Sequence, residues 1–140
     1  MGGGMILKYY GETYYLIHPD GQVLSAVWLN SKMDNGMYNQ NNVFGTRQEA
    51  MIESERRALI ARIHRFRDKC NSSEKVLDWN KFNQEKYFIS YDASSGDLVV
   101  SNNRIMNDFN LFGYFATYSG AEAAIIQFGA KIKRLILEVA

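Results

Sequence analysis

The sequence predicts an α+β protein: an antiparallel sheet with two long helices packed on it, built from two repeated strand-strand-strand-helix units. Three observations lead there. Aromatic and β-branched residues fall in short runs bounded by turn residues. Two capping boxes open two long amphipathic segments. The two halves of the chain also match each other at a common offset of 73 residues. The expected organisation is a flexible leader over 1–5 and a single domain over 6–140, with pseudo-repeat halves 6–70 and 84–140.

Met1-Gly2-Gly3-Gly4-Met5 reads as an expression scar or a frayed start, because glycine brings no side chain to pack. Ile6 to Tyr10 and Thr13 to Ile17 read as strands. His18-Pro19-Asp20-Gly21 reads as a turn, with proline presetting φ and glycine accepting the exit conformation, and Val23 to Leu29 as the returning strand. From Asn30 to Asn42 the composition turns polar, with Met33, Met37 and Tyr38 as the apolar points, and a long exposed loop is expected. Val43-Phe44 reads as a third, short strand. Thr46 with Glu49 then forms a capping box, and Ile52, Leu59, Ile63, Phe66 and Cys70 share one stripe of the helix that follows, up to Asn71-Ser72-Ser73.

The second half repeats this order. Lys86 to Tyr91 reads as a strand, Ser94-Ser95-Gly96-Asp97 as a turn and Leu98 to Ser101 as its partner. Asn102 to Asn110 reads as a polar loop and Leu111 to Tyr118 as another strand. Ser119 with Glu122 forms the second capping box, opening a helix with Ile125, Phe128, Ile132, Ile136 and Val139 on one face. At the offset of 73, Tyr14-Tyr15-Leu16 falls on Tyr87-Phe88-Ile89, Thr46 on Ser119, Glu49 on Glu122 and Leu59 on Ile132. A duplication of this kind implies two units paired about a pseudo-two-fold axis over one core.

Composition narrows the function classes. Apolar residues are 46% and charged residues 22% of 140, which excludes a disordered or collagen-like chain. Sixteen Lys and Arg against 15 Asp and Glu leave a net charge of +1, too weak overall for a dedicated DNA-binder. The single cysteine, Cys70, excludes an internal disulfide framework and suits a reducing compartment. No apolar run approaches the roughly 20 residues of a membrane span. His18 precedes a proline, and His64 sits on a helix where Asp68 is its i,i+4 neighbour. Two distant histidines and one cysteine make no zinc site, and a helix C-terminus disfavours a Cys70 thiolate. No enzyme activity, catalytic residue, cofactor or metal is expected.

Charge distribution is more informative than the total. Between Arg56 and Lys69 six basic residues face one acid, Asp68. With Glu53 set to pair with Arg57, the cations Arg62, Arg65 and Lys69 remain on one flank of the helix. Two readings stand: a solvated flank that complements the helix C-terminus, or a surface for an anionic partner, protein or nucleic acid. Ile126, Ala130 and Leu137 lie outside the main stripe of the second helix, where a second copy or another partner would cover them.

Several stretches occur together over 14–139: Asn42-Val43-Phe44-x-Thr46-x-x-x-Ala50, Ile63-x-Arg65-Phe66, Trp79, Gln84-x-Lys86-Tyr87-Phe88-Ile89-x-Tyr91-Asp92, Gly113-Tyr114-Phe115-x-Thr117 and Ile132-Lys133-Arg134-Leu135. In combination they resemble a widespread family of small uncharacterised proteins from phages and prophages of Gram-positive bacteria. The matching positions are caps, turns and core, so they speak of fold and source, not of a site. The resemblance implies a phage-encoded protein acting in the cytoplasm of a bacterial host. Small non-enzymatic phage proteins commonly bind a host protein, anti-CRISPR and other anti-defence inhibitors among them. The function expected is therefore inhibition of a host defence factor, such as a CRISPR effector nuclease, by occupation of its surface. The expected contact residues are Arg62, Arg65, Lys69, Met37 and Tyr38. The alternatives are a nucleic-acid-binding accessory protein of phage replication or packaging, and a small structural component of the virion.

Overall fold

The computed structural model describes residues 9–72 and 76–139. The expected leader and the first three residues of the strand expected from Ile6 lie outside the described residues, and Tyr9 and Tyr10 are not in a strand. The chain is α+β, with two small antiparallel sheets and three α-helices, and it divides into two compact units between Ala58 and Leu59. This corrects the expectation of one sheet carrying two helices.

In the first unit, β1 (Thr13–Ile17) pairs antiparallel with β2 (Val23–Val27), Thr13 opposite Val27 and Ile17 opposite Val23. The intervening turn is closed by the Gly21 N–H, which donates to the His18 carbonyl at 2.8 Å, with Gly21 at φ +90°. Strand alternation turns Tyr14 and Leu16 inward, where they form a core with Trp28 and Val43. The rings of Tyr14 and Trp28 meet edge to face, 5.8 Å between centroids.

The expected loop from Asn30 to Asn42 contains a helix instead, α1 (Lys32–Asn39). Ser31 Oγ accepts from the Asp34 N–H at 3.0 Å, and Asp34 accepts from the Ser31 N–H at 3.1 Å, which is a capping box. The same carboxylate takes the Tyr14 hydroxyl at 2.6 Å and the Leu29 N–H at 2.9 Å. Asn35 and Gly36 are weak helix formers. The helix forms because its first turn is tied through Asp34 to the core.

The third strand expected at Val43-Phe44 reduces to a single bridge. Tyr15 and Phe44 exchange N–H to carbonyl bonds of 3.0 and 2.9 Å. Next to them the Asn42 amide imitates a peptide group: Oδ1 accepts from the Ile17 N–H and Nδ2 donates to the Ile17 carbonyl, each at 2.9 Å. Thr46 Oγ1 then accepts from the Glu49 N–H at 3.2 Å, opening α2 (Arg47–Asn71). The N-terminal half of α2 is bonded to this unit by Arg47 to the Val23 carbonyl, Ser54 to the Gly21 carbonyl and Arg57 to the Asn41 carbonyl.

The second unit holds the rest of α2, the hairpin of β3 (Lys86–Asp92) and β4 (Asp97–Asn103), and α3 (Tyr118–Lys131), which runs on into a π-helical turn, Ile132–Leu137. Here too the strand expected from Leu111 is only a bridge, with Phe115 and Tyr87 exchanging bonds of 2.6 and 2.9 Å. The cap of α3 is Thr117, not Ser119. Its Oγ1 accepts from the Gly120 N–H at 3.1 Å, and Ser119 already lies inside the helix. The chain bends at Ala116 and Thr117 directly after the Phe115 bridge, and Thr117, with φ −131° and ψ 150°, starts the helix two residues before the expected box. The local correspondence between the units thus runs at 71 residues, not 73: Phe44 with Phe115, Thr46 with Thr117, and the buried Ala50 with the buried Ala121.

The buried stripe of α3 is Ala121, Ala124 and Phe128, continued by Ile132 and Leu135. Leu135, three residues after Ile132, stays on this stripe and is buried, while Ile136 is half-buried and Val139 exposed.

Burial works to raise the Asp34 pKa, but the hydrogen bonds from Tyr14, Leu29 and Ser31 outweigh it and hold the carboxyl down at about 2, against an ordinary 3.8. A folded pKa below the unfolded one contributes stability that is complete above the unfolded value and lost as pH falls through the folded one. Stability to urea should therefore fall between pH 3.8 and about 2. Asp34→Asn should remove part of that slope and lower stability at pH 7; an unchanged slope would contradict the assignment.

Candidate functional site

Residues 59–71 of α2 present chemically distinct faces. Leu59 and Ile63 are fully buried, and Phe66 meets Phe128 edge to face at 5.7 Å. A second face, His64, Arg67 and Asn71, follows the three-and-four spacing of one helix side. It binds backbone. His64 Nε2 lies 2.8 Å from the Leu111 carbonyl, and Arg67 Nη1 donates to the Phe112 carbonyl at 2.9 Å. Asn71 donates to the Tyr114 carbonyl and accepts from the Ala116 N–H, both at 2.9 Å. Gly113 is required between them: its φ is +71°, and a Cβ there would collide with the Arg67 guanidinium.

The expected pairing of His64 with Asp68 is not found. His64 turns to Leu111, and Asp68 pairs with Arg67 at 2.9 Å. Glu53 pairs with Arg57 as expected, at 2.9 Å, and also lies 3.6 Å from Arg56. Three of the six basic residues are thereby matched to acids. Arg62, Arg65 and Lys69 remain, all exposed, and among the described residues no carboxylate pairs with them.

Met37 and Tyr38 lie in the first unit, on α1. Met37 is half-buried against the Tyr14–Trp28 core, its sulfur 3.4 Å from Asn42 Nδ2, whereas Tyr38 is exposed. On α3, Ile126 is 78% exposed, Ala130 is exposed and Leu137 is half-buried.

Sequence reasoning missed the polar groups that do most to order the backbone. Lys86 is fully buried, and its ammonium donates to the carbonyls of Lys81, Gln84 and Arg104 at 3.0, 3.1 and 2.8 Å. The same nitrogen stands 4.9 Å from the centre of the Trp79 ring. All three donors are used, so the group is structural. Among the described residues no three His, Cys, Asp or Glu side chains gather as metal ligands, and no helix is long and apolar enough to cross a membrane. Comparison of the chain with known protein families, curated proteins and solved structures finds no match.

Asn71→Ala leaves the Tyr114 carbonyl and the Ala116 N–H without their partner, and should cost about 2 kcal/mol in urea denaturation. Arg62→Ala, on the exposed flank, should change stability by less than about 0.5 kcal/mol. Equal losses for the two variants would contradict the division of the helix into a framework face and a free flank.

Proposed function

We propose that the chain is a non-catalytic interaction protein that binds an acidic surface of another protein through Arg62, Arg65 and Lys69. The observation that carries this reading is the sorting of charge along α2. Arg56, Arg57 and Arg67 are matched by Glu53 and Asp68, while the three cations on the outer flank have no carboxylate among the described residues. A helix fixed to its own unit on one side and cationic on another offers pre-organised charge, which speeds encounter and selects an oppositely charged partner. Exposed Tyr38 is a second contact on the first unit, and its neighbour Met37 packs from α1 against the Tyr14–Trp28 core.

The resemblance to small phage and prophage proteins supports a target in the bacterial cytoplasm. The reading adopted is inhibition of a host defence factor, a CRISPR effector nuclease being the specific case, with no cofactor or metal involved. The correspondence of Phe44, Thr46 and Ala50 with Phe115, Thr117 and Ala121 supports an origin of the two units by duplication. The same row of cations favours a second reading, binding to nucleic-acid phosphates.

Bacteria carrying an active CRISPR system and expressing the chain should accept a targeted plasmid at least about tenfold more often than controls. The triple reversal Arg62→Glu, Arg65→Glu, Lys69→Glu should abolish this while leaving the folded circular-dichroism spectrum intact. No protection by the wild-type chain would overturn the defence-factor reading. Three phosphate contacts would give a slope of about −3 in log affinity against log salt for duplex DNA, and that result would favour the nucleic-acid reading instead.

A further inference from the structure

We infer that the outer edge of β4 is a second binding site, which takes an extended, acidic and apolar segment of a partner protein as an added strand. The argument begins with the direction of the backbone groups. Tyr87 spends both its N–H and its carbonyl on Phe115, on the side of β3 away from β4. In an antiparallel ladder alternate residues point to opposite sides, so Lys86, Phe88, Ser90 and Asp92 bond across to β4. Their partners are Asn103, Ser101, Val99 and Asp97. The N–H and carbonyl groups of Leu98, Val100 and Asn102 therefore point outward, and no hydrogen bond among the described residues takes them. Such an edge is a template for another strand.

Next to this edge lies a groove of about 860 Å³, whose lining includes Leu98, Val99, Ile125 and Val139. Lys131, Lys133 and Arg134 are also in its lining, as is the carboxylate of Asp97. All of these residues belong to the second unit. An added strand turns every second side chain toward the groove, where apolar ones would meet Leu98 and Ile125 and carboxylates would meet Lys131 and Lys133. Charge also selects against a second copy of this chain. A two-fold pairing of β4 with β4 would bring two sets of Lys131 and Lys133 to one seam, where like charges repel.

The site stands apart from the Arg62 flank, and its test does not use that flank. The probe is a synthetic valine–glutamate peptide of about eight residues, in which valine and glutamate take turns at every second position and threonine fills the positions between, matched to a strand the length of β4 and added to the full isotope-labelled chain. The expected result is saturable shifts of the Leu98, Val100 and Asn102 amide signals and slowed exchange of those amides. Lys131→Glu with Lys133→Glu should weaken binding about tenfold. The valine–lysine peptide should not bind, nor should a valine–glutamate peptide N-methylated on alternate residues, which lacks the bonding N–H groups. Equal binding of the acidic and basic peptides would overturn the inference, as would shifts confined to residues outside β4 and the groove, or no shifts at millimolar peptide. Sedimentation of the peptide-free chain as a dimer with those three amides already protected would assign the edge to a second copy and overturn it equally.

Discussion

A hairpin of two strands leaves the second edge of each strand bare and has too little surface to stand alone in water. Both units of this protein meet that constraint on the inner strand in the same way. A single aromatic residue, Phe44 or Phe115, exchanges one pair of bonds with that strand. An asparagine amide completes the local backbone: Asn42 closes on Ile17, and Asn71 closes on the segment around Tyr114. The rest follows from these short docks. Two bend residues follow each dock and bring Thr46 and Thr117 into place as caps, which sets where α2 and α3 start and which side chains those helices bury.

Electrostatics is divided between interior and surface on the same logic. Asp34 and Lys86, the buried ionic groups among the described residues, are saturated with hydrogen bonds, as burial of a charge demands. On α2 the matched pairs are partly exposed and contribute little each to stability. Their effect is to offset the charge of Arg56, Arg57 and Arg67 within the helix itself. What remains is a short row of cations whose direction is set by Leu59 and Ile63 on the buried face.

The two hairpins and the long helix were legible in the sequence because their periodicity is strong and the turn and cap residues agree with it. Helix α1 was not. Ser31-x-x-Asp34 is a capping signal, but Asn35, Gly36 and Asn39 lower helix propensity, and only the tertiary bonds of Asp34 override that. The second cap was misplaced because Ser119 and Glu122 satisfy the same local pattern as Thr46 and Glu49. The pattern that discriminates is longer, Phe-x-Thr with a buried Ala four residues on, and it recurs at 71. Exposure of Arg62, Arg65 and Lys69 could be read from helical angle alone. The framework role of Arg67 and Asn71 could not, because side-chain bonds to a distant backbone leave no periodic trace. Met37 reads as an exposed point in a polar stretch until α1 is known, and then turns inward.

The Lys86 enclosure has a practical consequence. Reagents that acylate primary amines need a neutral, accessible nitrogen, and this one is fully buried and fully hydrogen-bonded, whereas Lys32, Lys69 and Lys131 are exposed. The chain thus carries an internal clock for the opening of the enclosure formed by Lys81, Gln84 and Arg104. The pace at which Lys86 is modified, compared with its solvent-facing counterparts, reads out how often that enclosure comes apart.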